Sequence, residues 1–308
     1  MITVMGASGA TGGALVRHLR ELGVPCRALT RAPHALTAAL ATGPHPGGAP
    51  APSAPSARVD VIGADAAEPD TLRAALAGSE QLFLAMANGP RQVALERAAL
   101  DAAAATGVRH VVKLSAPAAE PDSPVAVSRD HHAIERHLAA SGMTGTVLRP
   151  YAFMHKLLLA APAIARGALV SSLGDAPCAY VDVRDVAEAA AEVLLRPYLA
   201  GAAYPLTGPR AYTPHQLAGL LSEVVGRPVR PVHLSPEEFH RHLRDTAGMP
   251  DRLARHVTEI QHLARTRPES PDGTLERLLG RPARTLPAFL DEHRTHFAPP
   301  PLAPPTTP

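Results

Sequence analysis

Ile2-Thr3-Val4-Met5-Gly6-Ala7-Ser8-Gly9-Ala10-Thr11-Gly12-Gly13 opens the chain and decides its fold. An apolar, β-branched run meets glycines spaced three apart, and Leu15, Val16, Leu19 and Leu22 then mark one face of a helix. Gly23 closes that helix and Cys26–Thr30 begins a second strand, so the unit is βαβ. In such a unit Gly6 permits a tight turn, Gly9 lets backbone N–H groups approach a pyrophosphate, and Gly12 allows close helix–strand packing. The helix N-terminus turns its positive dipole end toward the phosphates. The stretch Gly6, Ala7, Ser8, Gly9, Ala10, Thr11 and Gly12 is therefore expected to bind a dinucleotide, with glycine spacing in the short-chain-reductase style.

The end of the second strand refines this. An NAD-preferring site places a carboxylate there for the ribose 2′-hydroxyl, yet Pro25–Ala35 contains no Asp or Glu. Arg31, nineteen residues after Gly12, supplies instead the cation that a 2′-phosphate needs, so the expected cofactor is NADP(H).

Composition bounds the remaining classes. The 308 residues, 46% hydrophobic, suffice for a large α/β domain with an appendage. A charge of +2, 3% aromatic residues and no Trp argue against a nucleic-acid partner. No leader and no apolar run of membrane-spanning length is visible, so the expected location is cytoplasmic, with no membrane partner. Cys26 and Cys178 lie far apart, and the sixteen histidines lack metal-ligand spacing, so no metal is expected.

Downstream, a helix is expected over Ala32–Leu40, then strands Val59–Ile62, Gln81–Met86, His110–Ser115 and Thr144–Leu148. They alternate with helices Pro69–Leu76, Arg91–Thr106 and Ser128–Ala140, which predicts a Rossmann-like, doubly wound parallel sheet of α/β class. Ligands of such a sheet sit beyond the carboxyl ends of its strands. That rim carries Gly6–Gly12, Arg31, Asp65, Ala85, Met86, Ala87, Asn88, Ser115, Ala116, Arg149, Pro150 and Tyr151. Asp65 either faces the adenosine or caps the next helix. Beyond Tyr151 come an apolar segment to Arg166 interrupted by Pro162, strands Ala179–Val181, Tyr204–Leu206 and Val229–Leu234, and helix Val183–Leu195. Capping boxes at Thr213–Gln216 and Ser235–Glu238 precede helices near Pro250–Arg265, Thr274–Leu279 and Thr285–Phe297. Residues 1–150 thus read as an NADP(H)-binding Rossmann domain with a flexible Pro/Gly/Ala loop over 42–57. Residues 151–297 form a mixed region that completes the sheet and builds a smaller α-rich substrate side, and 298–308 form a disordered tail.

Several motifs together resemble the NmrA-like branch of atypical short-chain dehydrogenases. They are Gly6–Gly12, Leu29-Thr-Arg31, Gly63-Ala-Asp65, Arg109–Ser115, His131-x-x-x-Glu135, Leu148-Arg-Pro150 with Phe153-Met154, and Tyr180–Asp185. The subgroup they are most similar to is that of NADPH:quinone oxidoreductases and NAD(P)H azoreductases. Reductases of the wider superfamily use a Tyr-x-x-x-Lys pair plus a Ser to pass a proton to a carbonyl oxygen. No Tyr-x-x-x-Lys exists here; with Glu135 as register, Val127 stands at the Tyr position and His131 at the Lys position, while Ser115 is kept. The resemblance implies hydride transfer from NADPH to a small quinone-like, azo or conjugated-carbonyl acceptor, in detoxification or metabolite tailoring.

Candidate catalytic residues are His131, Ser115 and Tyr151, and candidate pocket residues are Asn88, Phe153, Met154 and Tyr180. His131 is either a proton source or a helix-surface histidine; Tyr151 either donates to substrate or is a core aromatic. Two other functions stand beside the reductase: an NADP(H)-sensing regulator without turnover, and a redox-neutral isomerase or cyclase. The oligomeric state, homodimer included, stays open.

Overall fold

The computed structural model describes residues 1–41 and 57–298. The expected flexible loop over 42–57 therefore lies outside the described residues apart from Ala57, and the expected disordered tail likewise apart from Ala298.

The first βαβ unit is β1 (Ile2–Met5), α1 (Ala10–Glu21) and β2 (Cys26–Thr30). It continues through α2 (Pro33–Ala41), β3 (Val59–Gly63), α3 (Pro69–Leu76), β4 (Gln81–Leu84), α4 (Gln92–Ala105), β5 (His110–Leu114), α5 (Ala126–Ala140) and β6 (Thr144–Pro150). After β6 the chain runs through a 3-10 segment, Met154–Ala160, into α6 (Ala161–Ala165), β7 (Ala168–Ser171), α7 (Val183–Leu195) and β8 (Ala203–Leu206). The remaining elements are α8 (Pro214–Val225), β9 (Arg230–His233), α9 (Pro236–Arg241), α10 (Asp251–Thr266), α11 (Thr274–Leu279) and α12 (Leu286–Glu292).

Seven strands form one sheet in the order β3-β2-β1-β4-β5-β6-β8, and every pairing is parallel. The order reverses between β1 and β4, the switch point at which such sheets bind ligands. Parallel strands need both faces covered, and they are. Val4, Ala28, Val112 and Leu148 pack under α1 and α7 on one face. Leu82, Leu84 and Val111 meet Leu72, Leu100 and Ile134 of α3, α4 and α5 on the other. A second core joins Met154, Ile164, Leu217, Phe289 and Phe297 in the C-terminal region, where β7 and β9 form a separate two-stranded sheet.

The α/β class and the parallel sheet expected from the alternation are thus borne out, but three local expectations are corrected. Residues Ala179–Val181 are not a strand: Cys178 exchanges backbone bonds with Tyr212, and by Val181 the partner is Ala152. A chain that changes partner within three residues cannot build a ladder. The strand in this region is β7, which the sequence reading missed. β4 ends at Leu84 rather than Met86, because at Ala85 the chain leaves the sheet against Gly6. Pro162 sits in the first turn of α6, directly after the 3-10 segment, rather than interrupting the apolar segment.

Candidate functional site

The turn after β1 is closed by contacts that only glycine allows. Gly6 has φ +85°, and a Cβ there would stand 1.9 Å from the Ala85 carbonyl oxygen. A Cβ on Gly12 would come 2.3 Å from the Gly6 carbonyl oxygen and 3.2 Å from Ala7 Cα, so Gly12 lets the first turn of α1 pack directly on the chain leaving β1. Gly9 donates its N–H to the Gly6 carbonyl at 2.9 Å and is the N-cap of α1, with no side-chain cap and no acidic residue in the first turn. The positive end of α1 is therefore neutralised by no side chain of its own, and Ser8, Gly9 and Ala10 are exposed around it while Ala7 and Thr11 are buried. The exposed backbone of Ser8, Gly9 and Ala10 at an uncapped helix end fits a pyrophosphate.

Arg31 follows β2 exposed, with no hydrogen bond or ion pair to any described residue. Its backbone is held instead, since Ala32 N donates to Thr30 Oγ1 at 3.1 Å. Asp65 accepts from Ala67 N at 2.9 Å in an Asx turn. The N-cap of α3 is Glu68, so the helix-capping alternative for Asp65 is ruled out. Ala85 and Met86 are half-buried, and Ala87 and Asn88 exposed, after β4.

Over β5 the rim is polar. Ser115 donates its hydroxyl to Glu135 Oε1 at 2.6 Å, and Arg149 grips both oxygens of the same carboxylate. Beneath it lies a second group. Lys113 Nζ, wholly buried, is 2.8 Å from Glu96 Oε2 and donates to His131 Nδ1 at 3.0 Å. Gln92 links Glu96 and His131 at 3.0 and 3.3 Å. Burial first, then the Lys113 ammonium, hold His131 neutral, well below the ordinary histidine range.

His131 is therefore corrected twice. It is 4% exposed, not a surface histidine, and a neutral ring already engaged at Nδ1 is placed to accept a proton bond, not to supply a proton to the rim. Val127, one turn earlier, is 2% exposed and has no polar group to replace a tyrosine.

The segment after β6 splits. Pro150 is buried at the strand end; Tyr151 is half-buried with Leu173, Cys178, Tyr180 and Ala264, and its hydroxyl bonds no described residue. Burial, the largest cause for each, pushes the Tyr151 and Tyr180 phenols up, so both stay protonated. Phe153 is half-buried, 5.2 Å from the His155 ring. Met154 is 0% exposed inside the C-terminal core and cannot line a pocket, which corrects that expectation.

α10 roofs this end of the rim. Its Glu259 accepts from Ala126 N at 2.9 Å, its Gln261 accepts from Ser172 N at 2.8 Å, and its Ala264 packs on Tyr151 and Tyr180. The sequence reading assigned neither the roof nor the Lys113 cluster. One signal for the cluster was present: the chain has two lysines, and one stands inside a strand expected to be buried on both faces. Among the described residues no acidic, His and Cys group could hold a metal, and no helix is long and apolar enough to cross a membrane.

The chain was compared with known proteins. It is 34% identical over 301 residues to an NAD(P)H azoreductase of Xenophilus azovorans, covering 96% of this chain and 99% of the relative. It is 36% identical over 302 residues to a (4-alkanoyl-5-oxo-2,5-dihydrofuran-3-yl)methyl phosphate reductase of Streptomyces griseus, covering 97% and 100%. The crystal structure of an NADPH-dependent quinone oxidoreductase from Escherichia coli, complexed with NADPH, superposes with a TM-score of 0.83 at 29% identity, covering 95% and 99%. The NmrA-like family model matches residues 1–292, and the chain belongs to the NmrA-like family.

Proposed function

We propose that the protein is an NADPH-dependent oxidoreductase that reduces a quinone, azo or conjugated-carbonyl acceptor. The observation that carries the cofactor is the Gly6–Gly12 cradle at the uncapped, acid-free end of α1, with the unpartnered Arg31 one strand away. The relatives support the chemistry: their names specify NAD(P)H, an azo or quinone acceptor, or an acyl-substituted oxo-dihydrofuran, which is itself a conjugated carbonyl.

Gly6 to Gly12 would hold the pyrophosphate on backbone N–H groups, and Arg31 would pair with the 2′-phosphate. Ala85–Asn88 and Pro150–Tyr151, beyond strands β4 and β6 on either side of β5, would flank the nicotinamide end. When bound there, NADPH supplies a hydride.

The residues around that end favour some acceptors over others. Val127 has no proton to give, His131 is neutral and buried, and the Ser115 hydroxyl is committed to Glu135. An ordinary ketone needs strong acid help at oxygen as hydride arrives. A quinone, azo bond or enone spreads the incoming charge and needs less, so binding and orientation by the rim supply most of the catalysis. Tyr151, protonated and with an uncommitted hydroxyl, would lie beside the acceptor as a hydrogen-bond donor. The role of the reaction, detoxification or metabolite tailoring, follows from which acceptor is used.

Purified protein is mixed with NADPH and a panel of quinones, azo dyes and enones while the absorbance of reduced nicotinamide is followed. Acceptor-dependent oxidation is expected. NADPH binding without oxidation by any member of the panel overturns the reductase and leaves an NADP(H) sensor.

A further inference from the structure

We propose that Glu269, in the segment that follows α10, selects the acceptor by charge. It favours acceptors that carry a cationic nitrogen group beside the reducible ring and disfavours anionic ones. The proposal rests on the reductase function above and narrows the acceptor class for that same site.

The place of Glu269 is fixed from two sides. α10 ends where Arg267 N donates to the Leu263 carbonyl at 2.8 Å. Just before that end, Ala264 packs on Tyr151, the residue that follows β6. Arg267 itself reaches the loop that leaves β5 and holds both oxygens of Glu120, each at 2.9 Å. The end of α10 is therefore tied to the exits of both strands, and Glu269 stands two residues further on. Burial first, then Cys178 and the Glu269 carboxylate, push the Tyr151 phenol up, so Glu269 lies within electrostatic reach of Tyr151.

The fold leaves this carboxylate unengaged. Glu269 is half-buried, yet it has neither a hydrogen bond nor an ion pair to any described residue. The Tyr151 hydroxyl is equally free, and no oxygen of either residue is among the unpaired polar atoms shut off from solvent. Both groups therefore reach the open space beside the exit of β6. A half-buried charge without a partner costs stability and is retained where it serves a ligand.

The surrounding charges do not cancel it. Arg267 commits its fork to Glu120, and Arg149 commits its own to Glu135. Asp272 lies within reach of Glu269 and Asp122 within reach of Arg267, so the excess at this end is acidic. The rim thus carries opposite signs at its two ends: the unpartnered Arg31 beyond β2 and the unpartnered Glu269 near the exit of β6. Glu269 takes no part in hydride or proton transfer; it acts on how the acceptor is held.

The test uses three naphthoquinones with one ring system, differing only at the end of an ethyl side chain: methyl, trimethylammonium or sulfonate. At about pH 8 a carboxylate raised by burial is still ionised. Attraction for one and repulsion for the other are expected to make kcat/KM about 10-fold higher for the ammonium than for the sulfonate. The difference should lie in KM, with the neutral quinone between. Glu269→Gln should bring the ratio to unity, and Glu269→Lys should invert it, which misfolding cannot do. Tyr151→Phe should slow all three quinones and keep the ratio. A wild-type ratio of unity, or a ratio that survives Glu269→Gln, overturns the role of Glu269. Wild-type protein that oxidises NADPH with none of the three overturns the reductase function and this proposal with it.

Discussion

The two halves of the rim are built in opposite ways. Around β1 the site is made of backbone: Gly9 and Gly12 both close on Gly6, and the chemistry comes from N–H groups and a helix end. Around β5 it is made of side chains in layers, with Ser115, Glu135 and Arg149 above and Lys113, Glu96, Gln92 and His131 below. A backbone site depends on local geometry that a short stretch of sequence encodes. A side-chain site depends on which residues from distant elements the fold brings together, and here they come from β5, α4, α5 and β6. The first half shows what is bound; the second shapes what can react.

The comparison breaks most sharply at Lys113. Lys113→Met leaves Glu96 charged and buried, and should cost about 3–5 kcal/mol in urea unfolding. Lys113→Met combined with Glu96→Leu should regain most of it; no recovery would mean the pair is not the element that matters. On the backbone side, Gly6→Ala puts a Cβ into the Ala85 carbonyl at a left-handed φ. It should cost roughly 3 kcal/mol and abolish NADPH binding by titration calorimetry. A folded variant with wild-type affinity would remove the cradle from the cofactor site.

Arg31→Ala should weaken NADPH about 10- to 100-fold, the worth of a charge-assisted pair, while NADH affinity holds; equal losses for both would show that Arg31 does not meet the 2′-phosphate. A smaller effect is expected from pH. His155 is held at about 4 by burial, helped by Lys156, against an ordinary value near 6.5. Above pH 6.5 both states are neutral, but below it only the unfolded chain takes up the proton. Stability should therefore fall between about pH 6.5 and 4, by at most about 3 kcal/mol from this residue and by less because its ring is partly exposed to solvent, and His155→Phe should flatten the profile measured by Tm. The smallest effect is Ser115→Ala: because the hydroxyl faces Glu135, quinone turnover should change less than about tenfold, below the loss for a direct proton-transfer group. A larger loss would show that Ser115 turns toward the acceptor.

How far the sequence could be read follows the same division. The βαβ alternation, the glycine turn and the missing carboxylate near Arg31 are local, and each was legible from spacing alone. Ser115 and Pro150 were legible as rim residues because one directly follows β5 and the other ends β6. His131 was misjudged because its partners Lys113 and Gln92 are contributed by another strand and another helix. Met154 was misjudged because an apolar residue after a strand can face either a pocket or a core, and here it meets Leu217 and Phe289. Residues 178–181 carry a strand's composition, yet the backbone there divides its bonds between Tyr212 and Ala152.

The sequence by itself determined the parallel α/β sheet, the dinucleotide turn and the absence of a Tyr-x-x-x-Lys pair, because periodicity, glycine spacing and residue identity are properties of neighbours in the chain. Only the tertiary structure decided that His131 is neutral, that Ser115 is tied to Glu135 and Arg149, and that α10 closes over the first turn of α5. Protonation and reach depend on burial and on charges brought from far along the chain, and those are set only when the elements pack.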